Sequence, residues 1–148
     1  MTHSTGLLPG TVELAAAEKN VAVITEIFAA IEQRDDRRFH ALCAPDFQIV
    51  WPSSLPYGVP GVGRSTWFET WNSLQPTEQE RRMDPRVVAA SGDEVVVLWR
   101  QKGVSAAGDR FDGEVLGLYR LREGKLGRAQ MFYFDTAAVA NFLARARE

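Results

Sequence analysis

The stretch from Gly92 to Asp135, GDEVVVLWRQKGVSAAGDRFDGEVLGLYRLREGKLGRAQMFYFD, limits what this chain can fold into more than any other part of it. Apolar and polar residues alternate through three runs, separated by two loops of three residues with glycine in third place, Ala106-Ala107-Gly108 and Arg122-Glu123-Gly124. A type I turn closed by a residue at positive φ has this form, and glycine takes positive φ without steric cost. The segment therefore reads as three consecutive antiparallel strands. Their registers follow from the glycines.

What precedes this segment is helical. Leu14, Val21, Ile24, Ile27, Phe28 and Ile31 recur at spacings that predict one long amphipathic helix from about Val12 to Arg34. A shorter helix is expected from Asp36 to about Ala44, stopping before Pro45, and then a short strand from Phe47 to Trp51. PSSLPYGVPGVG, with three prolines and three glycines in twelve residues, reads as a loop. Thr66 and Glu69 form a capping box for a third helix carrying Trp67, Phe68, Trp71 and Leu74 and ending near Pro76. The polar stretch TEQERRMDPR leads to a strand at Arg86 to Ala90, and TAAVANFLARA after Asp135 predicts a closing helix. Helices first and an antiparallel sheet last make an α+β pattern, expected as one domain over 12–148 behind a flexible tail at 1–11.

The chain has 148 residues, 45% of them apolar, enough for one compact core. A net charge of −2 gives no electrostatic reason to expect nucleic acid or an anionic membrane as partner. No apolar run approaches the ~20 residues a membrane helix needs. The one cysteine, Cys43, excludes an intrachain disulfide and makes a reducing cytoplasmic setting the expectation. His40 lies three residues before Cys43, but His3 is the other histidine, too few ligands for a zinc site.

Alternation assigns Val97, Trp99, Gln101, Val115, Gly117, Tyr119, Ala129, Met131 and Tyr133 to one sheet face, expected to meet the helices. The opposite face holds Val96, Leu98, Leu116, Leu118, Phe132 and Phe134, a patch too apolar to leave in water. That predicts a homodimer through the outer face, rimmed by Arg100, Lys102, Glu114 and Arg120; coverage by the terminal helix is the alternative. On the inner face, large rings opposite Gly117, Gly127 and Ala129 imply either interlocked packing or a cavity. Trp51, Tyr57, Trp67 and Trp71 join Trp99, Gln101, Tyr119, Met131 and Tyr133 as the expected lining of an aromatic pocket. Asp84 and Asp135 are the candidate proton carriers, although Asp135 followed by Thr-Ala-Ala also suits a helix N-cap.

LPYGVPGVGRSTWFETW, the strand led by Gly-Asp, EVLGLYRLREGKL and the closing YFD resemble the SnoaL-like branch of the nuclear transport factor 2-like superfamily, over roughly Asn20 to the C-terminus. The resemblance implies a conical α+β barrel, a curved antiparallel sheet wrapped around the long N-terminal helix, with an apolar pocket at the wide end and a dimer. Ketosteroid isomerases, limonene epoxide hydrolases, polyketide cyclases and small dehydratases share that fold. Carried onto this sequence, the isomerase base falls on Trp51, its oxyanion tyrosine near Ile27 and its second acid on Gly117. The cyclase aspartate and histidine fall on Met131 and Gly117, and the epoxide-hydrolase arginine and aspartate on Trp99 and Gln101, with its remaining aspartate on Met131 or Phe132. None of these positions holds the matching residue. The expectation is a cofactor-independent cyclase, isomerase or dehydratase acting on a small, largely apolar, cyclic metabolite; a non-catalytic binding or dimeric accessory protein is the alternative.

Overall fold

The computed structural model describes residues 11–58, 63–74 and 83–147. Helix α1 (Thr11–Glu32) is followed by α2 (Asp36–Ala41), β1 (Cys43–Val50), α3 (Gly63–Asn72), β2 (Arg86–Ser91), β3 (Glu94–Val104), β4 (Arg110–Arg122), β5 (Lys125–Tyr133) and α4 (Thr136–Ala146). The element order is the one the sequence predicts. The tail at 1–10 and most of TEQERRMDPR lie outside the described residues.

The five strands form one curved, unclosed sheet in the order β1-β5-β4-β3-β2. β2 to β5 make an antiparallel meander, but β1 pairs in parallel with β5, so the sheet is mixed rather than wholly antiparallel. β1 precedes α3 in the chain and therefore reaches the far edge by a crossover, not a hairpin. Its edge position also tolerates Pro45, whose missing N–H would break a ladder in a central strand.

The first loop has the expected form: the Gly108 amide donates to the Ser105 carbonyl at 2.9 Å, and Gly108 has φ 92°. The second differs from expectation. Arg122 pairs directly with Lys125, leaving two loop residues, Glu123 and Gly124, both at positive φ (52° and 78°), as a type I′ turn requires. Helix α3 begins at Gly63, three residues before the expected cap at Thr66, and ends at Asn72, short of Pro76.

Ile24, Ile27 and Phe28 of α1 are buried against the sheet. In β3 every second residue from Val95 to Gly103 is buried, and Val115, Gly117, Tyr119, Ala129 and Met131 continue that inner surface on β4 and β5. Two glycines on this face make room for rings. A methyl group on Gly103 would meet Trp71, and one on Gly117 would stand 2.5 Å from the Tyr119 hydroxyl, because the Tyr119 ring lies across Gly117. The interlocked packing that the ring-opposite-glycine pattern allowed is thus present. α4 buries Phe142 against Trp71 and Phe111, at the inner side of the sheet. It does not cover the outer face, where Leu116, Phe132 and Phe134 remain exposed, Phe134 at 84%.

Candidate functional site

Between α1, α3 and the inner sheet face lies a cavity whose walls are almost wholly apolar. Trp51, Trp67, Trp99, Tyr119 and Met131 line it, together with Ile27, Phe28, Phe39, Phe68 and Met83. Its volume is about 40 Å³, against the roughly 300–1,000 Å³ typical of small-molecule sites. The rings themselves fill the space. Trp51 and Trp67 stack at 5.5 Å with planes 8° apart, and Trp99 and Phe68 meet Trp67 edge-on. A second hollow of about 220 Å³ between α1, α2 and α3 shares Ile31, Phe39 and Phe68 with the cavity, so these side chains stand between the two.

Beside the cavity stands a polar cluster. Gln101, only 2% exposed, accepts at Oε1 from the Trp67 indole N–H (3.1 Å) and from the Tyr133 hydroxyl (3.2 Å). With Tyr133 donating there, the Tyr57 hydroxyl donates to Tyr133 at 2.9 Å. The loop after β1 places Tyr57 for this. Pro52 and Leu55 form successive turns with Leu55 and Gly58, and any side chain on Gly58 would collide with the Pro52 carbonyl. Tyr119 donates to the sulfur of Met131, a weak acceptor, at 3.7 Å. The indole N–H groups of Trp51, Trp71 and Trp99 are buried without an acceptor.

Burial raises all three phenols. Tyr57 is pushed up to about 12, with its bond to Tyr133 and the nearby Trp71 opposing in smaller part. Tyr119 is driven further above the ordinary range by burial, opposed slightly by the neighbouring Trp99 indole, which lies near the phenol oxygen but outside hydrogen-bond geometry. Tyr133 is raised well above the ordinary range, chiefly by burial and then by Tyr57. At neutral pH these groups are donors.

The residues singled out from the sequence divide into three sets. Trp51, Trp67, Trp99, Tyr119 and Met131 line the cavity; Tyr57, Gln101 and Tyr133 form the polar cluster next to it. Trp71 lies elsewhere, stacked on Phe142 at 6.0 Å, because the gap at Gly103 receives its ring. The two candidate proton carriers, Asp84 and Asp135, are not among the residues lining the cavity. Met83 lines the cavity, whereas Oδ2 of the next residue, Asp84, accepts from Lys102 Nζ at 2.5 Å. Asp135 caps α4 and accepts from the Ala138 amide at 3.0 Å. His40 is exposed and bonds the Asp36 carbonyl of its own helix. Among the described residues no cluster of three or more His, Cys, Asp or Glu side chains could hold a metal ion. The lining contributed by Phe28, Phe39, Phe68 and Met83 was not foreseen. The helix stripe marks Phe28 as inward, but not which inward residues reach the cavity.

Ile27, Trp51, Trp99 and Met131, four positions onto which the resemblance carried relatives' catalytic groups, all line this cavity. The arrangement can stack on a flat ring. Among the described residues that line it, none carries a carboxylate or an imidazole.

A model of the SnoaL-like domain matches residues 24–129. No curated protein matches the sequence. Among solved structures the chain is similar to TerC co-crystallised with polyporic acid, at 22% identity over 85% of this chain and 98% of that one, with a TM-score of 0.69. An NTF2-like protein from Burkholderia pseudomallei is 21% identical over 84% and 97% of the two chains, with a TM-score of 0.67. Bal32a, from a soil-derived mobile gene cassette, is 16% identical over 86% and 98%, with a TM-score of 0.70. At these identities the likeness is one of fold, the NTF2-like fold.

Proposed function

The chain belongs to the SnoaL-like domain family, and from that footing we propose that it binds a small, largely apolar, cyclic metabolite in its aromatic cavity and returns it chemically unchanged. The observation that carries this reading is the lining: rings and aliphatic side chains surround the space, while Asp84 and Asp135 are held in an ion pair and a helix cap. General acid-base catalysis needs a titratable group within hydrogen-bond reach of the reacting atoms. The cavity supplies Tyr119, whose phenol is held neutral by burial. Admission of a ring requires Trp51 or Trp67 to unstack, or Phe39 and Phe68 to yield toward the adjoining hollow.

A second reading, cofactor-independent turnover of the cyclase, isomerase or dehydratase type, is favoured by the chain of donors from Tyr57 through Tyr133 to Gln101 and by the likeness to TerC, a protein co-crystallised with polyporic acid. On this reading the protein would fix one conformer and its donors would bind developing negative charge. One experiment separates the two. The purified protein is screened with small ring compounds by thermal shift, and each binder is incubated and recovered for mass and chiral analysis. A ligand at about 100 times its Kd stabilises the fold by about 2.7 kcal/mol, so binders are easily seen. Recovery of unchanged ligand supports the binding protein; product supports turnover; no binder at all would favour an interaction module whose pocket is plugged by its own rings.

We further propose that two copies associate through the outer sheet face. The exposed side chains of Leu116, Phe132 and Phe134 support this, as do rim charges already paired on their own chain, Arg100 with Asp112 at 2.6 Å and Arg120 with Glu94 at 2.9 Å. We take residues 12–148 as one domain. Burial of Cys43 is consistent with a reducing, cytoplasmic setting; no helix among the described residues is long and apolar enough to cross a membrane.

A further inference from the structure

The outer face of the sheet is ordered in rows, because residues paired across neighbouring strands point the same way. One row runs Arg128, Arg120, Glu94 across β5, β4 and β3, and beside it lie Gln130, Leu118, Val96 and then Phe132, Leu116, Leu98. The fourth row joins Glu114 to Arg100, next to Phe134, whose amide donates to the Glu114 carbonyl at 3.0 Å. Charge thus bounds the apolar middle at both ends. At the first end Arg120 and Arg128 stand directly opposite each other, an unfavourable like-charge pair. Arg120 is bonded to Glu94 at 2.9 Å, whereas Arg128 bonds the neutral Gln130 amide at 3.2 Å. At the other end Arg100 is shared between Asp112 at 2.6 Å and Glu114 at 3.9 Å. Arg128 and Glu114 are the loosely held charges of the two ends.

We propose that a second copy lies on this face with its strands running opposite to those of the first, so that Arg120 of each copy meets Glu114 of the other and Glu94 of each meets Arg100 of the other. This rests on the association of two copies through the outer face, and adds to that reading the symmetry of the pair. Identical sheets that meet face to face are related by a two-fold axis lying in the plane between them. An axis along the strands lays every row on itself. Over β4 it sets Arg120 on Arg120 and Glu114 on Glu114, and like charges juxtaposed at an interface cost affinity. An axis across the strands, between Leu116 and Leu118, exchanges the ends instead. The Leu116 row then lies on the Leu118 row, and the two charged rows lie on each other with opposite signs over both β3 and β4. Arg128 comes to lie beside Glu114 of the other copy, so the two loosely held charges meet. Aligned sheets cross at about 30°, which leaves this pairing of rows intact.

The test exchanges the charges. The dissociation constant of the pair is measured by sedimentation at low salt, where exposed charges are least screened, for the unsubstituted chain, Arg120→Glu, Glu114→Arg and an equimolar mixture of the two variants. Each variant alone sets like charges against each other at both symmetric contacts, and is expected to associate roughly tenfold more weakly or worse. In the mixture, both contacts between unlike copies again join a carboxylate to a guanidinium, and affinity is expected to return to that of the unsubstituted chain. That return also shows that both variants fold. If the mixture stays as weak as its parts, Arg120 and Glu114 do not face each other and the inference is wrong. If each variant alone associates as tightly as the unsubstituted chain and the mixture more tightly, the rows lie on themselves; the arrangement is then wrong while association through this face stands. A single chain mass for the unsubstituted protein removes the association and this inference with it.

Discussion

At the scale of single residues, the site is set by where rings find room. Gly117 is the clearest case: a β-carbon there would overlap the Tyr119 ring and hydroxyl. Gly117→Ala is expected to destabilise the fold by about 1–3 kcal/mol, the usual range for overpacking, and to displace Tyr119 from Met131. Urea denaturation measures the first, and an unchanged midpoint would show that Tyr119 has another place to go. The phenols give a pH dependence. Tyr57 has its folded pKa raised from 10.0 to about 12 by burial, so its contribution is intact below pH 10 and is lost as pH rises from there through about 12. The loss amounts to about 2–3 kcal/mol, at 1.36 kcal/mol per pKa unit. Absorbance at 295 nm should therefore show Tyr57 ionising late and together with unfolding, whereas ionisation near pH 10 in a folded chain would contradict the burial argument. Strand alternation made the inward position of Tyr119, Trp99 and Gln101 legible in the sequence, because side-chain direction in a strand has a period of two. It could not show that Gln101 bonds Trp67 and Tyr133, since that depends on how α3 and β5 approach in space.

At the scale of elements, two local signals compete at the C-terminal end of the sheet. Asp135 follows an inner strand and also precedes a helix, and the helix determines its role: its carboxylate accepts from Ala138. Asp135→Ala should cost about 0.5–2 kcal/mol, as loss of an N-cap does, while leaving affinity for any cavity ligand unchanged. Denaturation and ligand titration of the same variant test both halves, and weakened binding without loss of stability would return Asp135 to the site. The meander from β2 to β5 was legible because its turns are local and carry glycine. The parallel pairing of β1 with β5 was not, because it joins residues as distant as Cys43 and Leu126 and no local pattern encodes which edge a crossover reaches. The onset of α3 was misplaced for a related reason: Thr66 and Glu69 satisfy a capping pattern, yet the helix starts one turn earlier at Gly63.

At the scale of the whole molecule, one face of the sheet makes the cavity and the other is left apolar. Phe132 is 48% exposed and Phe134 84%, which underlies the proposed association of two copies. Sedimentation is expected to give twice the 16.5 kDa chain mass, and Phe132→Glu to give the single chain mass with the cavity intact; a single mass for the unsubstituted protein would leave the patch to another partner. The family and the fold were legible from a few motifs. The occupancy of the pocket was not, because alternation shows which rings face inward and not how tightly they pack. The account's central claim, that a small ring enters among Trp51, Trp67 and Trp99, is tested most directly by the indole N–H signals in a ¹⁵N-¹H spectrum during titration with 1-tetralone. The chain has four tryptophans; Trp71 stacks on Phe142 and does not line the cavity, although it stands near the Tyr57 hydroxyl. The account predicts that the signals of Trp51, Trp67 and Trp99 shift in a saturable way and by more than that of Trp71; an unmoved set, or movement of Trp71 alone, would contradict it.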